Sequence, residues 1–201
     1  MDNTAKIILS PADLLIMQDI SVIDTRRRIN DAVQSLFSNL AEDISHDINL
    51  TGNLPSVLNF GIPKISKGEN YLGYPWIMMD YPALFHKSGS LALRNMFWWG
   101  HHFSVTLHVS GQFKDKYKSR LIDNLTHDGK PFRISIGDKE WEHHMQETNY
   151  SAMSTFKKDN LEKIWEGKKF IKIARDFPLQ DLNSLITQLR KSNREILELL
   201  K

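Results

Sequence analysis

The clearest hydrophobic pattern lies in the N-terminal quarter of the chain. Apolar residues recur there at three- and four-residue steps, the spacing of one helical face, at Ile29, Val33, Leu36, Phe37, Leu40, Ile44 and Ile48. We predict one long helix that ends before Thr51-Gly52-Asn53, where glycine can supply a left-handed cap. A shorter helix is predicted to start at Ser10-Pro11-Ala12-Asp13. A break near residues 21–25 would separate the two helices.

From Leu54 onward, glycine and proline occur too often for long helices, and strands are predicted instead. Residues 64–66 and 76–81 are the first two, with Pro75 and Pro82 bracketing the second. Residues 90–99 fit either a helix capped by Ser90 and Gly100 or a strand from about Asn95. The aromatic residues 97–99 favour the strand.

Residues 101–109 have the clearest strand pattern in the sequence. Apolar and polar residues alternate here, which is typical of a strand with two different faces: Phe103, Val105, Leu107 and Val109 against Ser104, Thr106 and His108. We expect the apolar set to face the core. The polar set is expected to lie outside it.

The second half of the chain mixes helices and strands. We predict, in order, a polar helix over 113–125, a turn at Asp128-Gly129, a hairpin of 132–136 with 140–144 around Gly137-Asp138, a helix over 157–165 and a strand over 169–174. A final amphipathic helix follows Pro178. Its apolar stripe comprises Leu182, Leu185, Ile186, Leu189, Ile196, Leu199 and Leu200, and it skips Ser192 and Asn193.

The order of these elements predicts the fold class. Strands cluster in the middle of the chain and helices lie at both ends, which favours an α+β fold. We expect an antiparallel sheet with the long N-terminal helix and the C-terminal helix packed on one face. A chain of 201 residues suits one domain over residues 1–201.

Composition removes several classes of function. The chain has no cysteine, which excludes disulfide scaffolds and thiolate metal sites. Its net charge of +2 is too small for a dedicated nucleic-acid-binding protein. The sequence shows no secretory signal and no apolar run long enough to cross a membrane. We therefore expect a cytoplasmic protein without a membrane or nucleic-acid partner.

Histidines and two carboxylates are the candidates for chemistry. His102 and His144, together with Glu142, would form an acid–base or divalent-metal site only if the 101–109 strand lay beside residues 140–144. The simpler interpretation makes them surface or half-buried histidines on a polar sheet face, and no metal or other cofactor is expected. Asp80 is either a catalytic acid or base, or a turn residue that ends its strand before Pro82.

Aromatic residues and the last helix suggest binding. Trp76, Trp98 and His108 are candidate ligand contacts, although a tryptophan-rich core explains the indoles equally well. The last helix packs on its own chain or mediates self-association. Our first hypothesis is a binding or interaction protein that holds a small ligand or a partner on the sheet. The alternative is a small enzyme that depends on a metal or on acid–base groups.

Overall fold

The structure is a computed structural model, and it describes residues 7–51, 61–128, 131–180 and 182–201. Over these residues the chain forms five α-helices and seven strands. The helices are Pro11–Gln18 (α1), Ile20–Thr51 (α2), Gly111–Asp128 (α3), Lys158–Glu166 (α4) and Leu182–Glu198 (α5). The strands are Lys64–Tyr71 (β1), Tyr74–His86 (β2), Gly89–Trp98 (β3), His102–Ser110 (β4), Arg133–Ser135 (β5), Tyr150–Ala152 (β6) and Phe170–Pro178 (β7).

All seven strands belong to one antiparallel sheet, in the order β1-β2-β3-β4-β7-β5-β6. Strands β1 to β4 follow one another as hairpins. Strand β7, the last in the sequence, then pairs with β4. The predicted α+β class and antiparallel sheet are confirmed. Residues 90–99 form a strand that begins at Gly89, several residues before the expected start.

The main core lies between one face of this sheet and the helices. From α2, Phe37, Leu40 and Ile44 are almost fully buried, and from α5, Leu189 and Ile196 are fully buried. These side chains share one apolar cluster with the inward residues of β4. The expectation that the two terminal helices pack on one face is therefore confirmed. Helix α2 extends through Thr51, and Gly52 and Asn53 lie outside the described residues.

Two polar residues that interrupt the apolar stripe of α5 attach this helix to the sheet. Asn193 and Asn95 are buried and exchange two amide hydrogen bonds of 2.9 and 3.0 Å. Ser192 accepts a 2.9 Å hydrogen bond from the Arg175 guanidinium on β7. These two polar residues of α5 can therefore be buried, since each has a hydrogen-bond partner on the sheet.

Several predicted boundaries were wrong. The helix break lies at Asp19, where the Asp19 side chain accepts a 2.9 Å hydrogen bond from the Ser21 amide. Strand β2 continues through both prolines. Pro82 follows Asp80 at an irregularity in the pairing of β2 with β3, where a missing backbone donor is tolerated.

The capping box of Ser10 and Asp13 at the start of α1 is present. Gly129, the second residue of the predicted 128–129 turn, lies outside the described residues.

The predicted hairpin around Gly137-Asp138 was also wrong. Strand β5 pairs with β6, so residues 136–149 connect two neighbouring strands without forming one themselves. We call residues 136–149 the covering segment, because it lies across the second face of the sheet. As a result Ser104, Thr106 and His108 are buried, with exposed fractions of 2%, 5% and 3%. The expectation that these residues lie outside the interior was wrong.

The asparagine pair predicts a non-additive effect on stability. We expect Asn95→Ala or Asn193→Ala to lower the free energy of unfolding by about 1–3 kcal/mol, because each leaves one buried amide without a partner. The double variant should lose less than the sum of the two, since it removes both amides together. Urea denaturation measures all three, with the exposed Asn39→Ala as control. Strictly additive losses would contradict this account.

Candidate functional site

The covering segment leaves an open cleft over β1, β2 and β3. The cleft has a volume of about 530 Å³. Its lining includes aromatic, thioether and charged side chains of the sheet and of the covering segment, among them Tyr71, Trp76, Met78, Met96, Trp141 and His143. The residues of this lining come from distant parts of the sequence, so the cleft exists only in the folded chain.

A buried ion pair forms part of the cleft floor. Arg94 on β3 and Asp80 on β2 make two parallel hydrogen bonds, Nε to Oδ1 at 2.7 Å and Nη2 to Oδ2 at 2.9 Å. Their exposed fractions are 8% and 6%. Asp80 pairs with Arg94 within the β2–β3 ladder, so it does not end its strand as a turn residue. Both side chains line the cleft.

His143 joins this ion pair to the covering segment. The Arg94 Nη1 atom lies 3.1 Å from His143 Nε2. Burial and the neighbouring Arg94 charge hold the pKa of His143 well below its usual range. The imidazole is therefore neutral, and its Nε2 atom accepts a hydrogen from the guanidinium. This leaves Arg94 bonded on both sides, to a carboxylate and to a ring nitrogen.

Three further strands anchor the covering segment. On β1, the Tyr71 hydroxyl oxygen accepts hydrogen bonds from the backbone amides of His143 and His144, at 2.6 and 3.0 Å. On β7, the Lys172 ammonium donates to the Glu142 carbonyl. Burial lowers the pKa of Lys172 to about 8, although nearby Glu142 opposes the shift. These contacts fix the segment at the wall of the cleft.

The third anchor is His108 on β4. Its Nε2 atom lies 2.8 Å from Glu140 Oε1. Burial lowers the pKa of His108 to about 3, and the charges of Arg94 and Lys172 act in the same direction. The neutral ring therefore donates its Nε2 hydrogen to the Glu140 carboxylate. His108 was a candidate ligand contact, and the structure places it beneath the covering segment, outside the lining of the cleft.

The structure does not bring His102 and His144 into one group. His102 lies at the start of β4, edge-on to Trp98 with ring centroids 5.6 Å apart. His144 lies in the covering segment, with its Nε2 atom 3.5 Å from Glu142 Oε2. The predicted strand over 140–144 does not form, because these residues belong to the covering segment, and β4 pairs with β3 and β7. In the described part of the chain, no group of three or more histidine and acidic side chains is placed to hold a metal ion.

The two candidate tryptophans have different positions. Trp76 lines the cleft, and a Cβ atom at Gly68 would lie 2.7 Å from its indole, so the glycine gives this ring its space. Trp98 is buried behind the lining. Its indole stacks on His101 at 3.6 Å between ring centroids and donates a 3.2 Å hydrogen bond to the Tyr71 carbonyl.

Sequence reasoning missed Tyr71, Arg94, Trp141 and His143. A signal for Arg94 was present, because it follows the apolar run Leu91-Ala92-Leu93 in a predicted sheet region. Asp80 follows a similar run, and opposite charges in two apolar strands indicate a cross-strand pair. No comparable signal marks residues 141–143, whose positions depend on contacts with distant strands.

Comparisons with protein-family models, with curated proteins and with solved structures found no match to this chain. The function of the protein is therefore inferred from the site alone.

The neutral state of His108 predicts a specific acid sensitivity. Its folded-state pKa lies below the ordinary value of 6.5, so the unfolded chain binds more protons between pH 6.5 and pH 3. The stability that His108 contributes is present above pH 6.5 and is lost as the pH falls through this window. Between pH 6.5 and pH 4.5 the loss from this residue is roughly 2 kcal/mol.

Urea denaturation across this pH range tests the effect with His108→Gln. Glutamine keeps a donor for Glu140 but does not titrate, so the pH dependence of the variant should be flatter than that of the wild type. His46→Gln is the matched control, because His46 is exposed on α2. Parallel curves for the wild type and His108→Gln would refute the assignment.

Proposed function

We propose that this protein is a binding protein whose cleft holds a small planar molecule that carries hydrogen-bond acceptors. The observation that carries the proposal is the combination of aromatic walls with a buried arginine in the cleft floor. Pockets for small molecules have the same character, with apolar walls and a few fixed polar groups. The cleft volume of about 530 Å³ also lies within their usual range.

The aromatic residues suggest a flat ligand. Trp141 and Phe85 face each other at the cleft with ring centroids 6.3 Å apart, and about half of each side chain is exposed. Trp76 forms another part of the lining. Exposed aromatic rings gain from stacking on a planar partner, because stacking adds to the free energy of burying apolar area. Met78 and Met96 also line the cleft, and their flexible side chains can adapt to the shape of a ligand.

Charge narrows the class of ligand further. An arginine side chain has five N–H donors, and the contacts with Asp80 and His143 occupy three of those on Arg94. Two donors remain for acceptor atoms of a ligand. Asp80 balances the charge of Arg94, while Lys64 adds one positive charge to the lining. The cleft therefore suits a neutral or singly negative molecule.

The same contacts favour binding over acid–base catalysis. Both carboxylate oxygens of Asp80 are bonded to Arg94, and the accepting nitrogen of His143 is bonded to the same guanidinium. The accepting nitrogen of His143 has a single lone pair, which the guanidinium already uses, so this ring is not free to act as a general base. For the metal-dependent alternative, His102 and His144 would have to be brought together from separate positions.

Tryptophan fluorescence tests the proposal. The purified protein is titrated with adenosine, indole-3-carboxylate and benzoate as probes. We expect saturable quenching by at least one probe, and an affinity about tenfold weaker in Trp141→Ala, which corresponds to about 1.4 kcal/mol of binding free energy. Trp141 is half exposed, so its loss should leave the fold intact.

Tyr74→Ala is the matched control, because Tyr74 is an equally exposed aromatic residue of β2 outside the cleft lining. Its affinity should equal that of the wild type. If none of the probes quenches saturably, or if both variants lose affinity alike, the proposed site is wrong. Thermal melting of each variant separates loss of binding from loss of folding.

A further inference from the structure

A second cavity, of about 450 Å³, lies on the helical side of the sheet between α2 and α5. All of its lining residues are apolar, and they include Ile29, Leu36, Trp99, Leu182 and Ile186. Leu182 and Ile186 belong to the apolar stripe of α5, yet both are exposed. Within the described residues, part of the stripe is therefore left without a partner in its own chain.

A second unpartnered apolar surface lies immediately before this cavity in sequence. We call residues 7–29 the arm. Eleven large apolar residues of the arm are exposed: Ile7, Ile8, Leu9, Leu14, Leu15, Ile16, Met17, Ile20, Val22, Ile23 and Ile29. Helix α1 has a complete capping box but no buried residue. Exposed apolar surface of this extent marks an interaction site.

Apart from Ile29, the arm does not reach the cavity of its own chain. None of residues 7–28 lines that cavity. The base of the arm is held in place, because Arg26 pairs with Glu69 on β1 and the Trp99 indole donates a 3.2 Å hydrogen bond to Asn30. Since α2 is one uninterrupted helix from Ile20 to Thr51, its first turns extend beyond the core that begins at Val33.

The charges of the arm are arranged for pairing with an identical arm. From Ile7 to Thr25 every charged residue is acidic, namely Asp13, Asp19 and Asp24. Three arginines, residues 26–28, follow directly. In two arms packed antiparallel with Ile20 near the two-fold axis, the acidic stretch that includes Asp13 lies along the arginines of the second copy, among them Arg27, which within its own chain pairs with exposed Asp24 at 3.7 Å. A parallel arrangement would instead oppose like charges.

We infer that a second copy of this chain covers the arm and occupies the cavity. In the same antiparallel arrangement, the first residues of the arm, among them Ile8, lie near the apolar cavity of the other copy, whose lining includes Ala32. The N-terminal end of each arm therefore enters the cavity of its partner, and a two-fold axis passes near Ile20. An arm of this length supplies a number of residues typical of one side of a standard interface, about 20–30.

The absence of cysteine from the chain gives a clean cross-linking experiment. We expect full-length Ile20→Cys to form a covalent dimer on mild oxidation, because the two thiols meet near the two-fold axis. Lys163→Cys, which is exposed on α4, is the control and should remain monomeric on a denaturing gel. A mixture of Ile8→Cys and Ala32→Cys should form the heterodimer more readily than either variant forms a homodimer.

Light scattering and sedimentation then test the charge pairing. The wild type should be a dimer at micromolar concentration, and Asp13→Arg or Arg27→Asp should each weaken it about tenfold. The double variant should recover most of the lost affinity, since it restores opposite charges. Circular dichroism confirms that each variant is folded.

Three results would overturn the inference. The first is a wild type that is monomeric at every concentration tested. The second is a dimer that Ile20→Cys does not cross-link, because the interface then lies elsewhere. The third is a monomer whose arm binds vesicles of phosphatidylcholine and phosphatidylserine, which would assign the apolar residues to a lipid surface.

Discussion

The buried Arg94–Asp80 pair is the interaction on which the second face of the sheet depends. Each charge is largely removed from water and needs a partner, because an uncompensated buried charge costs several kcal/mol. Asp80 accepts hydrogen bonds from two nitrogens of the guanidinium, and His143 accepts one from the third. His143 reaches Arg94 only if the covering segment lies across the strands. The pair thus requires a covered face, and the cleft is the gap that the cover leaves.

The covering segment shows how an irregular stretch becomes a fixed wall. Its backbone donates to Tyr71 and accepts from Lys172, and its Glu140 carboxylate accepts from His108. The three anchors lie on β1, β7 and β4, so the segment is held across most of the width of the sheet. Because His108 and His143 are held neutral, Arg94 and Lys172 are not opposed by further positive charge.

Local pattern was enough for some elements and not for others. The apolar period of α2 and the inward direction of the apolar residues of β4 follow from the local sequence, and both were confirmed, whereas the expected exposure of the polar residues of β4 was wrong. The burial of His108 depends on residues 136–149, far along the chain, which no local pattern reveals. The Gly137-Asp138 turn signal was outweighed by the pairing of β5 with β6. At the cleft, Trp76 and Asp80 could be selected as single residues, whereas His143, which bonds Arg94, is defined only by tertiary contacts.

The two proposed interactions are physically connected through β1. Arg26 at the base of the arm pairs with Glu69, and the adjacent Asn70 lines the cleft on the same strand. Any movement of the arm on dimer formation therefore acts on a strand that forms part of the ligand site. Linkage then requires reciprocity: a ligand that binds the dimer more tightly than the monomer strengthens the dimer by the same factor. A difference in ligand affinity between the wild type and Arg27→Asp would measure this coupling, because Arg27 lies on the arm, away from the cleft lining.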